Sequence, residues 1–75
     1  MKLSDTDKAF YRGILFGLQH IRGLDCSVTY RSLIRDAGPR NVVAVAKEDD
    51  ALEWSGLIYY GWADKAGRCT PHRAH

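Results

Sequence analysis

The sequence lacks the segments that would place the chain in a membrane or export it from the cell. No apolar run reaches the roughly 18 residues that a membrane-spanning helix needs. The first seven residues are polar and acidic, whereas a secretion signal starts with basic residues followed by an apolar segment. We therefore expect a cytoplasmic protein that has no membrane partner.

Cysteines and catalytic motifs are equally scarce. Both cysteines are expected to be reduced and unpaired, since no secretion signal precedes them. The phosphate-binding motifs G-x-x-x-x-G-K-[ST] and G-x-G-x-x-G are absent. Cys26 has His20 and Asp25 near it in the chain, but nothing fixes the imidazole within reach of the sulfur. The sequence thus predicts neither an enzyme nor a cofactor.

Residue types that bind metals gather near the C-terminus. Cys69, His72 and His75 follow one another at intervals of three, and Cys26 or His20 is available as a fourth ligand. Structural zinc needs four such groups in a tetrahedron, and the paired blocks of a zinc finger are absent. We predict no bound metal, with a zinc-stapled module as an alternative.

The chain contains enough apolar residues to form one hydrophobic core. Apolar residues make up 45% of its 75 residues, including two Trp, four Tyr and two Phe. The net charge of +2 is too small to indicate a nucleic-acid binder. We expect one helical domain over residues 1–75, with a flexible basic tail from about residue 68.

Residues 9–23 predict the helix on which the rest of the chain packs. Their apolar side chains recur at spacings of three and four. They form two helical lines, Phe10–Ile14–Gly17–Ile21 and Tyr11–Leu15–Leu18. Ser4 and Asp7 have the spacing of a helix-capping pair, so the first helix should span about residues 5–22.

Two further features of this helix concern its contacts with other elements. Gly13 and Gly17 are four residues apart, which predicts that another helix crosses closely there, although each glycine weakens the helix by about 1 kcal/mol. Phe16 lies off the main apolar face, near Arg12. It is either a boundary residue or a contact left for a partner.

Two shorter helices should follow. A helical apolar spacing predicts a second helix over residues 28–37, ended by Gly38. Pro39 suits the first turn of a third helix over residues 40–48. The three valines of residues 42–45 would also suit a strand, so this helix competes with an extended conformation.

The C-terminal third has two interpretations. A helical pattern from Ala51 to Trp62 predicts a fourth helix, which the acidic residues 48–50 would cap. Alternatively, the helix ends near Ser55 and residues 57–70 form a β-hairpin that turns at residues 64–67. The first interpretation gives an all-α domain of three or four helices, and the second an α+β domain.

A basic edge is predicted on the second helix and just beyond it. Arg31 and Arg35 are one turn apart, and Arg40 follows across Gly38. Guanidinium groups bind carboxylates through two parallel hydrogen bonds, so this edge suits an acidic partner. A solvated face is the plainer interpretation.

The fourth helix, as predicted, has a second apolar stripe opposite its core face. Leu52, Tyr59 and Ala63 form the stripe, and Tyr60 points to a third side. A monomer of this size cannot cover both stripes, and Tyr and Arg are enriched in binding hot spots. Tyr59 and Tyr60 therefore join the three arginines as predicted partner-binding residues.

The function that these patterns favour is a small, non-enzymatic protein-binding module, with self-association into a homodimer as a further option. In size and character the chain resembles the inhibitors that phages and mobile elements use against host machinery, anti-CRISPR proteins among them; no motif carries this resemblance. The alternative is a small DNA-binding regulator in which the second and third helices form a helix-turn-helix. Pro39, the few base-reading side chains of residues 40–47 and the acidic run 48–50 count against it.

Overall fold

Four α-helices follow one another in the part of the chain that the computed structural model describes, residues 3–24 and 27–74. They are α1 (Asp5–Gly23), α2 (Ser27–Ala37), α3 (Pro39–Glu48) and α4 (Trp54–Tyr59). A single 3₁₀ turn follows at Pro71–Arg73. No strand occurs within these described ranges, so the predicted all-α class is confirmed. None of these helices is long and apolar enough to cross a membrane.

Helix α1 starts as the capping pair predicts but faces the core differently. The Oγ of Ser4 accepts a hydrogen bond from the backbone N–H of Asp7, at 3.1 Å. Leu15 and Leu18 are the buried residues of α1. Phe10, expected on the buried line, is instead exposed, because α2 and α3 pack against the flank that carries the two leucines.

A single residue, Gly38, connects α2 to α3. Its φ of 104° lies in the left-handed region that glycine tolerates. Its N–H donates to the carbonyl of Ile34, and its own carbonyl accepts from Val42. Pro39 then occupies the first turn of α3. The valine run is helical because tertiary burial outweighs strand propensity; the buried residues of α3 are Val42, Val43, Val45 and Ala46.

Helix α4 is shorter than the predicted fourth helix. It ends at Tyr59, and Gly61 has a φ of 84°. The backbone of Gly61 packs so closely against the carbonyl of Arg73 that a Cβ there would overlap it. Trp62, expected on the buried face of the fourth helix, is fully buried but lies outside any helix.

The chain reverses direction where the hairpin alternative places its turn. The N–H of Gly67 donates to the carbonyl of Asp64, and Ala63 and Cys69 form one isolated antiparallel bridge. The turn of the alternative is therefore present without its strands.

Thr70, which follows this turn, forms hydrogen bonds with the backbone of Gly61 and Trp62. The N–H of Thr70 donates to the carbonyl of Trp62, and its hydroxyl donates to the carbonyl of Gly61, each at 2.8 Å. The 3₁₀ turn gives regular structure to a segment expected to be irregular, whereas flexibility from about residue 68 stays a prediction.

Candidate partner-binding surface

Three ion pairs join α1 to the stretch between the end of α3 and the start of α4. They are Lys8–Glu48 at 2.8 Å, Arg12–Asp49 at 2.7 Å and Arg22–Glu53 at 3.1 Å. The expectation that residues 48–50 cap the fourth helix is wrong, because Asp49 is the C-cap of α3 and no side chain caps α4. Two of these acids, Glu48 and Asp49, instead form ion pairs with α1.

Two carboxylates, those of Asp49 and Asp64, have pKa values lowered by different hydrogen-bond donors. The Arg12 guanidinium holds the pKa of Asp49 below its usual value, mainly through the side-chain hydrogen bond. The pKa of Asp64 is also lowered, above all by the backbone N–H of Arg68 and then by the Arg68 side chain. Both carboxylates are thus already bound and unavailable to neutralise other cations.

Five cations make no ion pair or side-chain hydrogen bond within residues 3–24 and 27–74. They are Arg31, Arg35, Arg40, Lys65 and Arg73. The three arginines predicted from the sequence are all in this set, and we call them the arginine edge. Arg35 and Arg40 are exposed, and Arg31 is half-buried.

The arginine edge occupies the flank of α2 that faces away from α1. Leu33 faces α1, since its Cδ2 lies 4.0 Å from the position of a Cβ on Gly17. Helical geometry places Arg31 and Arg35 across the buried Tyr30–Ile34 row from Leu33. Arg40 follows on the first turn of α3, beyond Gly38.

The C-terminal segment approaches the same corner of the molecule. Arg40 lines a shallow pocket of about 350 Å³ together with Pro71 and the residues of the α2–α3 connection. Arg73, another cation without a partner among the described residues, is two residues from Pro71. The C-terminal segment that carries Arg73 therefore passes close to Arg40.

The two predicted tyrosines differ in their surroundings. Tyr59 is 75% exposed, as expected. The prediction that Tyr60 points to an exposed side is wrong: its ring is half-buried and lies 4.9 Å from the ring of the buried Tyr30. Tyr59 contacts Tyr60 edge-on at 5.0 Å. The rings of Tyr30, Tyr60 and Tyr59 therefore form a row from the buried side of α2 to the surface. Of the two predicted tyrosines, Tyr59 is the more accessible to a partner.

The predicted second apolar stripe does not exist as one surface. Ala63 lies beyond α4 and is buried, and Leu52 precedes α4. Leu52 is instead exposed on one wall of a groove of about 270 Å³, with Phe16 of α1 on the other wall. Periodicity alone could not pair these two side chains, because they come from distant parts of the chain.

Helix α3 offers little to a DNA groove. Four of its ten residues are buried, and its exposed ones are Arg40, Ala44, Lys47 and Glu48. The Nζ of Lys47 already donates to the carbonyl of Ala66, at 2.9 Å. The single-residue connection is also shorter than the three- or four-residue turn of a helix-turn-helix.

No three His, Cys, Asp or Glu side chains come together as a metal site in the described ranges. Cys69 is a free thiol whose pKa is raised by burial. Cys26 and His75, two of the potential zinc ligands, lie outside the described residues. The expectation that the chain binds no metal therefore stays a prediction.

Comparison of this chain with protein-family models, curated proteins and solved structures finds no match.

Proposed function

We propose that this chain is a small, cytoplasmic, non-enzymatic module that binds another protein, and that its arginine edge and Tyr59 contact an acidic surface of that partner. The observation that supports the proposal is the set of arginines without an acidic partner among the described residues, together with an exposed tyrosine at the end of α4. Asp36 neighbours Arg35 in the chain but forms no ion pair with it. The guanidinium groups are therefore free to bind carboxylates from outside.

The chemistry of these side chains favours a protein partner. Arginine binds a carboxylate through two parallel hydrogen bonds, and Tyr59 adds a large, rigid contact area at a small entropic cost. The weak net charge and the burial of α3 make a DNA partner the second choice. A module of this kind acts by occupying a surface, which is how a phage or mobile-element inhibitor of host machinery, such as an anti-CRISPR protein, would work.

Capture of the partner from the source cell, followed by titration of single variants, tests the proposal. Arg35→Glu and Tyr59→Ala should each weaken the complex by about 2 kcal/mol, or roughly thirtyfold. Both side chains are exposed, so each melting temperature should stay close to that of the parent. Lys65→Glu is the matched control, because it makes the same charge change at an exposed cation in the C-terminal turn.

Three outcomes distinguish the alternatives. Unchanged affinity in both Arg35→Glu and Tyr59→Ala would place the interface elsewhere. An equal loss in Lys65→Glu would show that only overall charge matters. Binding to DNA that responds to Arg35→Glu alone, and that weakens steeply with salt, would favour the DNA-binding regulator.

A further inference from the structure

A small pocket lies where the α2–α3 corner meets the C-terminal segment, and most of its lining is apolar. Gly38, Pro39, Arg40 and Asn41 come from the corner and Pro71 from the C-terminal segment; we call this site the proline pocket. Its volume is about 350 Å³, near the lower end of the roughly 300–1,000 Å³ that ligand sites occupy. The proline pocket therefore has room for an apolar side chain of a partner.

Backbone hydrogen bonds fix both sides of the proline pocket. On the corner side, the N–H and the carbonyl of Gly38 both form hydrogen bonds. On the other side, the N–H of Arg73 donates to the carbonyl of Thr70 across the turn that begins with Pro71. The hydroxyl of Thr70 in turn donates to the carbonyl of Gly61, at 2.8 Å. The pocket is therefore formed before a partner arrives, and little backbone ordering is needed to use it.

Two polar side chains complete the lining of the proline pocket. Arg40 forms no ion pair with another described residue, and the first turn of α3 contains no acidic residue. The Nδ2 of Asn41 donates to the hydroxyl of Tyr11, at 2.9 Å. The Oδ1 of Asn41 accepts no hydrogen bond from the described part of the chain. The pocket thus has a cation and a hydrogen-bond acceptor beside an apolar surface.

The charge of Arg40 also acts on the C-terminal side of the proline pocket. Burial raises the pKa of the Cys69 thiol, and the positive charge of Arg40 offsets part of this rise. Opposite charges affect each other's ionisation in this way only at short range. The guanidinium of Arg40 therefore lies near the segment that carries Cys69 and Pro71, beside the pocket.

We infer that the proline pocket receives an apolar side chain of the partner protein, and that an aspartate or glutamate on the same face of that partner segment binds Arg40. The inference rests on the proposed function, because it specifies what an acidic partner presents beyond the end of α2. The apolar side chain leaves water against Pro39 and Pro71, and the carboxylate supplies the negative charge that the pocket lacks. The Oδ1 of Asn41 can accept a backbone N–H of the same segment.

Titration of isotope-labelled protein with short peptides, followed by NMR, tests the inference. The probe is a capped, uncharged-ended peptide with the core Leu-Gly-Asp, because residues two apart in an extended segment lie on the same face. It should shift the signals of Gly38, Arg40 and Asn41, with a Kd on the order of 1 mM. Intermolecular NOEs should join the leucine methyl groups to the ring protons of Pro39 and Pro71.

Two control peptides separate the two contacts. The core Leu-Gly-Asn removes the charge but keeps the shape, and the core Gly-Gly-Asp removes the apolar side chain. Each should bind about tenfold more weakly than Leu-Gly-Asp. Equal affinity for Leu-Gly-Asp and Leu-Gly-Asn would overturn the role of the carboxylate, and equal affinity for Leu-Gly-Asp and Gly-Gly-Asp would overturn that of the pocket.

Matched variants of the protein locate the carboxylate. Arg40→Gln should bind Leu-Gly-Asp about tenfold more weakly, at the level of Leu-Gly-Asn. Arg35→Gln removes the same charge from an exposed arginine outside the proline pocket and should keep the preference of the parent. The NMR spectrum of each variant without peptide checks that the fold is kept. An equal loss in Arg35→Gln would overturn the assignment to Arg40.

Failure of this inference is distinguishable from failure of the proposed function. If no peptide binds while Arg35→Glu weakens the captured complex, the inference is wrong and the proposed function stands. If Leu-Gly-Asp binds at the pocket while the captured complex is unaffected by Arg35→Glu and Tyr59→Ala, the inference holds and the proposed interface is wrong. Signals of the pocket that shift with protein concentration alone would overturn the inference by showing that a second copy of the chain occupies the site.

Discussion

The phenol of Tyr30 donates a hydrogen bond to the carboxylate of Glu53 inside the core, with 2.5 Å between Oη and Oε2. Glu53 is only 1% exposed, and Nε of Arg22 lies 3.1 Å from its other oxygen. Burial, and then the bond to Glu53, raise the pKa of Tyr30, so the phenol stays protonated and can donate. One buried carboxylate thus connects α1, α2 and the start of α4.

Removing the hydroxyl of Tyr30 should show how much its hydrogen bond to the buried carboxylate of Glu53 contributes to stability. Tyr30→Phe leaves Oε2 of Glu53 without its hydrogen bond and should lower the free energy of unfolding by about 1–3 kcal/mol. Urea denaturation measures the loss. Tyr60→Phe is the control, because the ring it keeps packs on Tyr30 and its hydroxyl has no hydrogen bond within the described ranges. Similar losses in the two variants would show that the bond to Glu53 contributes little.

Two glycine-to-alanine changes should have opposite effects on stability. A Cβ at Gly56 would overlap Oε2 of Glu53 and lie 3.3 Å from Cδ of Arg22, so Gly56→Ala should cost about 1–3 kcal/mol. Gly13→Ala adds its methyl in open space and should gain up to about 1 kcal/mol, because alanine favours the helix. Thermal melts of dilute protein compare them. A Gly56→Ala variant that melts at a higher temperature than the parent would contradict the close packing of Gly56 against Glu53.

The two apolar sides of α1 should differ in their contribution to stability. Leu18 is fully buried, so Leu18→Ala should cost about 2–5 kcal/mol, which is much of the stability of a small domain. Phe10 is more than half exposed, so Phe10→Ala in dilute protein should cost less than about 1 kcal/mol. Chemical denaturation of both variants gives the comparison. A larger loss for Phe10→Ala would place the core on the other line of the helix.

Carboxylates with lowered pKa values should make the fold sensitive to acid. A lowered pKa means that the folded state binds the proton less tightly than the unfolded chain. The stabilisation from Asp49 and Asp64 is therefore complete above their unfolded pKa of about 3.9 and is lost as the pH falls through their lower folded values. Melting temperatures measured from pH 7 down to about pH 2 should fall below about pH 4.

Alanine variants of the two arginines should separate the causes of these shifts. Arg12→Ala should return the pKa of Asp49 towards its usual value, because the main donor is the Arg12 side chain. Arg68→Ala should leave most of the shift at Asp64, because the backbone N–H of residue 68 still donates. Titration of the carboxyl carbons by NMR tests both, and an Asp64 pKa that returns fully in Arg68→Ala would refute the backbone contribution.

The first three helices could be predicted to within one residue at each end because short-range chemistry sets their limits. The hydroxyl of Ser4 caps the start of α1. Gly38 follows the end of α2, and Pro39 is the first residue of α3. The exposure of Arg35 and Arg40 followed from the same helical spacing.

Features set by contacts between distant segments could not be predicted. Trp62 has helical spacing from Trp54, so periodicity extends α4 through it, whereas the packing of Gly61 against Arg73 ends the helix earlier. Tyr60 is half-buried because Tyr30, on another helix, lies beside it. Which side of the broad apolar face of α1 is buried depends likewise on where α2 and α3 pack.

The corner at Gly38 has a consequence for the rates at which a partner binds and leaves. Because one residue with hydrogen bonds on both sides separates the helices, the backbones of Arg35 and Arg40 are held at a fixed spacing before any contact. A partner that bridges both therefore finds the two backbone positions already in place, so that the entropy lost on association is mainly that of the side-chain rotamers. Substitutions that reverse charge along the arginine edge should therefore lower the association rate, because exposed charges steer the encounter, and also raise the dissociation rate.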